Sequence, residues 1–421
     1  MRNLIQRFRS MLSRRHNVRA HFWQTSGNYV QKVGSLVMSV VLARLLPPEV
    51  FGQLVLISST LFVIFTFLNF SASQLLVSDA GRTLDLYARV MGVTWLTSLL
   101  KCLALVGYII WALAMKEKES AVVAAFIGLP AILGDWLAVI RADLEGKGHF
   151  KPNFVVNFVG VTLHGLIAIF LALAGWGIYA LAIAPMIAFL PKLIIYLRLS
   201  DHRLTEGRLN IEIFRNQFRQ GFWLWLNFIS TSLFSRIDNL FLGNAGGASQ
   251  LGYYNRAFNY GPISHIVLNS LMTGASVRAL AMQSNALSRK KIFGKTMLIL
   301  ISCGVGNGLF WSFSAPLVVP FIFGPQWQGA IPAFQWLGWI ALAYSLSFGS
   351  ATVLLANKDY QNLALQRIVA LLALAAILSL VARTGYMDAQ ATAIACLSVL
   401  TISGLSITQR AMKLLNEEWS E

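Results

Sequence analysis

The chain has 421 residues, of which 56% are hydrophobic and 12% charged, with a formal net charge of +17 and a mean hydropathy of +0.63. A soluble domain carries about 25% charge, so this composition excludes an ordinary soluble protein and describes an integral membrane protein. The basic excess invites a nucleic-acid reading, which the placement of the basic residues excludes below.

The first residues, MRNLIQRFRSML, put Leu4, Ile5, Phe8, Met11 and Leu12 on one helical face with arginines elsewhere. That pattern predicts an amphipathic helix lying in the membrane interface over residues 1–20; contact with a partner enzyme is its alternative use. No small-residue cleavage site follows, so a cleavable signal peptide is not expected. A hydrocarbon core about 30 Å thick takes about 20 apolar residues per helix. Segments of that kind lie near 22–46, 50–74, 90–115, 121–141, 153–174, 177–198, 218–243, 253–276, 294–316, 331–356, 363–383 and 389–410. Hydrophobicity breaks at Gly261-Pro262 and again between Pro316 and Pro320, and APLVVPFIFGPQWQGA reads as an uncharged outer linker dipping into the interface.

With the N-terminus inside, only Arg44, Lys116, Lys118 and Arg383 fall in outer linkers, and Lys32, Lys101, Arg236 and Arg256 fall within segments. The rest of the 34 Lys and Arg flank the inner side. This asymmetry predicts about twelve transmembrane helices with both termini cytoplasmic. It also accounts for the net charge through topology and anionic lipid, without nucleic acid. Cys102, Cys303 and Cys396 all sit in apolar segments and imply no disulfide framework.

Phe22, Trp23, Ser35, Leu42 and Gly52 recur as Phe222, Trp223, Ser235, Leu242 and Gly252, 200 positions on, as do Arg15 and Arg19 at Arg215 and Arg219. The polar basic linker 200–217 falls midway. The expected organisation is an N-lobe over 21–199, a C-lobe over 218–410 and a cytoplasmic tail over 411–421. The fold class is therefore an all-α integral membrane protein of two pseudo-symmetric six-helix lobes around a central cavity, a design of alternating-access transporters.

Gln24, Asn28, Gln31, Ser35 and Ser39 form one stripe of the first helix, bordered by Lys32; Thr231, Ser235 and Asn239 are the equivalents in the seventh. A lysine at that depth must face protein or water, so the stripes either line a hydrated interior or bond helices together in a dry bundle. Asp238 and Arg256 sit at similar depth either side of the GNAGGASQ turn. They read as a hairpin salt bridge, or as parts of a cationic cavity with Arg236. Lys101 and Asp135 read as a buried structural pair or a coupling site for a proton or cation. His164 reads as a core histidine or a proton relay. Asn255 and Asn259 share a face beside Gly261-Pro262 and read as substrate path or interhelical glue. No metal-ligand spacing, phosphate-binding glycine loop or nucleophile motif is present, so the chain is expected to be neither an enzyme nor an ATP-driven pump, with no cofactor and no metal.

LARLLPPEVFGQL (42–54), with Leu46, Pro48, Glu49, Phe51 and Gly52, resembles the first-hairpin turn of the bacterial polysaccharide flippases, the Wzx-type O-antigen and exopolysaccharide translocases of the multidrug/oligosaccharidyl-lipid/polysaccharide (MOP) superfamily. RIDNLFLGNAGGASQLGYYNRAF (236–258) resembles their seventh and eighth helices through Arg236, Asp238, Gly243, Leu251, Gly252, Tyr254 and Ala257, and PFIFGPQW (320–327) their Phe-Gly-X-X-Trp turn. The resemblance implies an oligosaccharide on an undecaprenyl pyrophosphate carrier, moved from the inner to the outer leaflet of the bacterial plasma membrane. It implies that Lys32, Arg236 and Arg256 meet the pyrophosphate. Trp23, Trp223, Tyr254 and the polar stripe with Asn28 and Gln31 would meet the sugar, Asn255 and Asn259 are further candidates for substrate binding, and Asp238, Lys101 and Asp135 would brace or couple. It allows a polysaccharide polymerase and a chain-length regulator as partners, and a proton or sodium gradient as the drive. A multidrug antiporter of the same superfamily, or a membrane polymerase or ligase, are the alternatives.

Overall fold

The computed structural model describes residues 26–27, 30–69, 84–147, 151–200, 207–208, 211–262, 286–357 and 359–417, and every regular element among them is helical. Backbone amides placed in lipid must bond within their own segment, which an apolar chain achieves by forming helices. In chain order these are α1 (30–45), α2 (Pro48–Phe67), α3 (Leu84–Ala114), α4 (Lys118–Gly146), α5 (Lys151–Leu173), α6 (Ile178–Leu199) and α7 (Ile211–Ala245). There follow α8 (Ala248–Tyr260), α9 (Ala286–Phe323), a 3-10 turn over Pro325–Ala330, α10 (Ile331–Leu337), α11 (Ile340–Ala356), α12 (Tyr360–Thr384) and α13 (Ala389–Glu417). Among the described residues eight helices are long and apolar enough to cross a membrane, or nine if the pair ending in α10 and α11, bent by 41°, counts as one. The helices α7 and α8, which hold Arg236, Asp238, Asn239, Asn255 and Arg256, are not among those eight.

The chain divides into two compact units, residues 1–46 with 68–217, and residues 47–67 with 218–421. Chain order alone assigns α2 to the 21–199 lobe; its contacts group it with the second unit, because its main packing partner is α8.

In the first unit α1 lies on α5 through small residues. Gly27 meets Phe154, Gly34 meets Val161, and Gly165 receives Met38. Small residues let helices approach where lipid supplies no hydrophobic drive. The helices α3 and α4 are tied by Lys101 to Asp135 at 2.6 Å and by Trp136 Nε1 donating to Ser98 Oγ at 3.0 Å. Leu137, Ile140, Leu144, Val156, Phe189 and Tyr196 pack α4, α5 and α6 together.

In the second unit α2 and α8 cross at backbone contact. A Cβ on Gly52 would stand 1.8 Å from the carbonyl oxygen of Ala248, and one on Gly252 2.2 Å from that of Pro48. The crossing is reciprocal under the 200-residue offset, as in a two-fold contact. The Ser249 hydroxyl donates to the Glu49 carboxylate, which joins two offset mates directly.

The expected outer linker 315–330 is shorter than its prolines suggest. Pro316 and Pro320 stand inside α9, which runs on to Phe323. Pro316 deprives the Ser312 carbonyl of its helical donor, and Gln335 Nε2 donates to that carbonyl at 3.1 Å. The chain turns at Gly324, where φ is 106°, a conformation that glycine adopts without strain. Buried Asn307 performs a similar service: its Nδ2 donates to the carbonyls of Gly261 at 2.8 Å and Gly338 at 2.7 Å, just past the ends of α8 and α10. Asn307→Ala would orphan both carbonyls at about 1–3 kcal/mol each. A lowered unfolding temperature of the purified protein is the expected outcome, and an unchanged one would count against this role.

Candidate functional site

The charged stretch of α7 and α8 gathers the three quoted motif regions into one corner of the second unit. The Asp238 carboxylate is 1% exposed. It accepts from the Tyr254 hydroxyl and, at 2.8 Å, from the Asn239 backbone N–H. Among the described ion pairs none joins Asp238 to Arg256. The Arg256 guanidinium lies instead among rings: 4.3 Å from the centroid of Phe51, 4.8 Å from Trp327, 5.5 Å from Phe323 and 5.7 Å from Tyr260. Arg256 is 6% exposed and Trp327 fully buried. Its planar cation stacks on aromatic faces where a lysine could not match the fit.

Arg236 stands differently. It is half-buried, lies 5.1 Å from the Phe62 ring centroid, and makes no hydrogen bond or ion pair among the described residues. Asn239 is buried and its Nδ2 donates to Ser59 Oγ of α2 at 3.1 Å, so this member of the α7 stripe bonds helices together. The side chains of Asn255 and Asn259 join each other at 2.9 Å on the exposed side of α8. Trp223 is half-buried and in edge contact with Phe222.

In the first unit Gln31, Lys32 and Ser35 are exposed on α1, while Val33 and Val37 form a separate exposed apolar face. Trp23 and Asn28 lie outside the described residues. Lys101, 4% exposed, pairs at 2.6 Å with Asp135, which is only half-buried.

Thus the structure brings Asp238 to Tyr254, and Arg256 to Phe51, Phe323 and Trp327. The sequence reading aims Tyr254 and Arg256 at ligand; both side chains are enclosed here. Two cations escaped that reading. Arg367 is 8% exposed in α12, with its guanidinium 5.5 Å from the Phe348 ring centroid, and Lys192 sits in the body of α6. Both lie inside the apolar segments 177–198 and 363–383, toward their inner ends, and that depth is the signal the sequence offers for them.

A protein family described as "Polysaccharide biosynthesis protein" matches residues 41–332. No curated protein matches the chain. Among solved structures, an inward-facing multidrug resistance MATE family transporter of the MOP superfamily superposes with a TM-score of 0.73 at 15% identity, over 93% of this chain and 96% of that one. A MATE transporter in complex with MaL6 gives 0.62 at 15% identity, over 96% and 97%. A MOP superfamily transporter from Pyrococcus furiosus, whose binding pocket of reverse polarity suggests a different function for that protein, gives 0.61 at 15% identity, over 96% of each. At these identities the likeness establishes the fold.

Proposed function

The chain belongs to the polysaccharide biosynthesis protein family, and from that premise we propose that it flips an undecaprenyl-pyrophosphate-linked oligosaccharide from the inner to the outer leaflet of the bacterial plasma membrane by alternating access. It is a membrane transporter of the MOP type. The observation that carries the cargo assignment is Arg236, a half-buried cation that makes no hydrogen bond or close ion pair among the described residues; the acid whose charge it meets, Asp238, is already hydrogen-bonded by Tyr254 and the Asn239 amide. A half-buried cation is costly unless it meets an anion, and a guanidinium fork suits the oxygens of a diphosphate. The exposed Gln31, Lys32 and Ser35 face of α1 offers polar contacts to the same class of ligand. Arg256 and Tyr254 act as braces in this reading, with Asp238, Lys101 and Asp135 as structural or coupling charges. Trp223, Asn255 and Asn259 remain available to sugar, and Trp23 and Asn28 are proposed from sequence alone.

The fold by itself does not choose the cargo, since the Pyrococcus furiosus relative carries the same architecture with a pocket of reverse polarity. The basic character of Lys32 and Arg236 is what favours an anionic lipid over a cationic drug. A proton or sodium gradient, or removal of product by a downstream polymerase working with a chain-length regulator, would drive net movement.

Export of surface polysaccharide by cells carrying Arg236→Ala or Lys32→Ala tests this. Arg236→Ala is expected to lose most export at normal membrane protein level, with lipid-linked sugar accumulating inside. Lys32→Ala, whose side chain is exposed, should have the smaller effect. Normal export by both variants would remove the cargo assignment and leave only the family and the fold.

A further inference from the structure

A second cationic cluster lies in the first unit, on α5 and α6. Lys192 stands seven residues before the end of α6 at Leu199, about 10 Å inside that end at 1.5 Å per residue. Its side chain folds against the bare backbone of Gly160: a Cβ there would stand 1.9 Å from Lys192 Cε and 2.8 Å from Nζ. His164 follows Gly160 by one turn along the same face of α5. Neither Lys192 nor His164 makes a hydrogen bond or ion pair among the described residues.

The acid in that corner is committed elsewhere. Glu145 accepts from Asn153 Nδ2 at 2.6 Å and pairs with Arg141 at 3.7 Å. Asn153 in turn accepts from the Tyr196 hydroxyl at 2.8 Å. Tyr196 is one turn beyond Lys192, so this network stops one turn short of the ammonium.

We infer that Gly160, His164 and Lys192 form an oxyanion site, for a carboxylate or phosphate group. The glycine notch seats the end of the lysine side chain, which no Cβ at that position would allow. The neighbour of the lysine is another base, so the cluster offers N–H donors and positive charge and no acidic acceptor. A membrane-depth cation so placed is disfavoured unless an anion joins it. The oxyanion belongs either to the transported molecule or to the phosphodiester of an acidic lipid, and the probes below separate the two. The site does not depend on the Arg236 assignment.

Full-length protein purified in neutral detergent is titrated with inorganic pyrophosphate, with glucuronate, and with phosphatidylglycerol in mixed micelles, following the apparent unfolding temperature. The variants are Lys192→Gln, Lys192→Arg and Gly160→Ala. At least one probe is expected to stabilise the wild type. Lys192→Gln should weaken that response about tenfold or more, the scale of one charge-assisted hydrogen bond. Lys192→Arg should retain most of it. Gly160→Ala keeps the charge but displaces the ammonium from its notch, and should weaken binding as well; it also serves if Lys192→Gln fails to fold. A Lys192-dependent response to pyrophosphate or glucuronate supports a cargo site, and one to phosphatidylglycerol alone supports a lipid site. No response in the wild type, or equal responses in wild type and Lys192→Gln, overturns the inference.

Discussion

Gly252→Ala is expected to prevent stable accumulation of the protein in the membrane, and Gly52→Ala to do the same. The added Cβ would meet backbone rather than a movable side chain: the Pro48 carbonyl oxygen at 2.2 Å in one case and the Ala248 carbonyl oxygen at 1.8 Å in the other. Backbone cannot rotate away, so α2 and α8 would have to separate. Separation would disturb the Ser249–Glu49 bond and the approach of Phe51 to Arg256. Overpacking commonly costs about 1–3 kcal/mol, and a rigid obstacle puts these positions at or above the upper end. The control is Gly134→Ala, where a Cβ meets nothing within 4 Å. Membrane protein levels and unfolding temperatures of the three variants check the expectation. A Gly252→Ala protein as stable as wild type would show that α2 and α8 can separate at this crossing at little cost.

Arg256→Ala is expected to destabilise the protein, and this distinguishes it from Arg236→Ala. The Arg256 guanidinium is enclosed by Phe51, Trp327, Phe323 and Tyr260, and its removal would leave a void between α2, α8, the end of α9 and the 3-10 turn. Truncation of a large buried side chain costs about 3–5 kcal/mol, and a desolvated cation–π contact is worth about 2 kcal/mol. Membrane protein level and export should therefore fall together in Arg256→Ala. In Arg236→Ala, where the side chain is half-buried with one ring contact, export should fall alone. Arg256→Lys should recover little stability, since an ammonium lacks the flat faces that stack on rings. Normal protein level with lost export in Arg256→Ala would return this residue to the ligand and cost it its role as brace.

Much of this corner was legible in advance, and the reason is local. Phe51, Gly52, Arg236, Asp238, Gly252, Phe323 and Trp327 all stood out as motif residues. Their convergence was not legible, because Phe51, Arg256 and Trp327 lie far apart in the chain and meet only when α2 crosses α8. The pairing of Asp238 shows the same limit. Equal depth on a hairpin suggested Arg256, but depth says nothing of azimuth, and the carboxylate turns to Tyr254 and the Asn239 amide. For Lys101 and Asp135 depth was enough, since α3 and α4 are sequential neighbours that also face each other there.

That the chain is helical and membrane-embedded can be read from the residues in linear order, because apolar length and charge along a segment are properties of the segment alone. The 200-residue repeat of the first hairpin can be read in the same way. The packing of α2 with the second unit, the continuation of α9 through Pro316, and which cations are enclosed and which are presented emerge from the folded chain. Each of those depends on a group supplied from elsewhere in the chain. The carbonyls of Ala248 and Pro48 leave room only for glycine, Gln335 answers the Ser312 carbonyl, and the rings of Phe51 and Trp327 enclose Arg256.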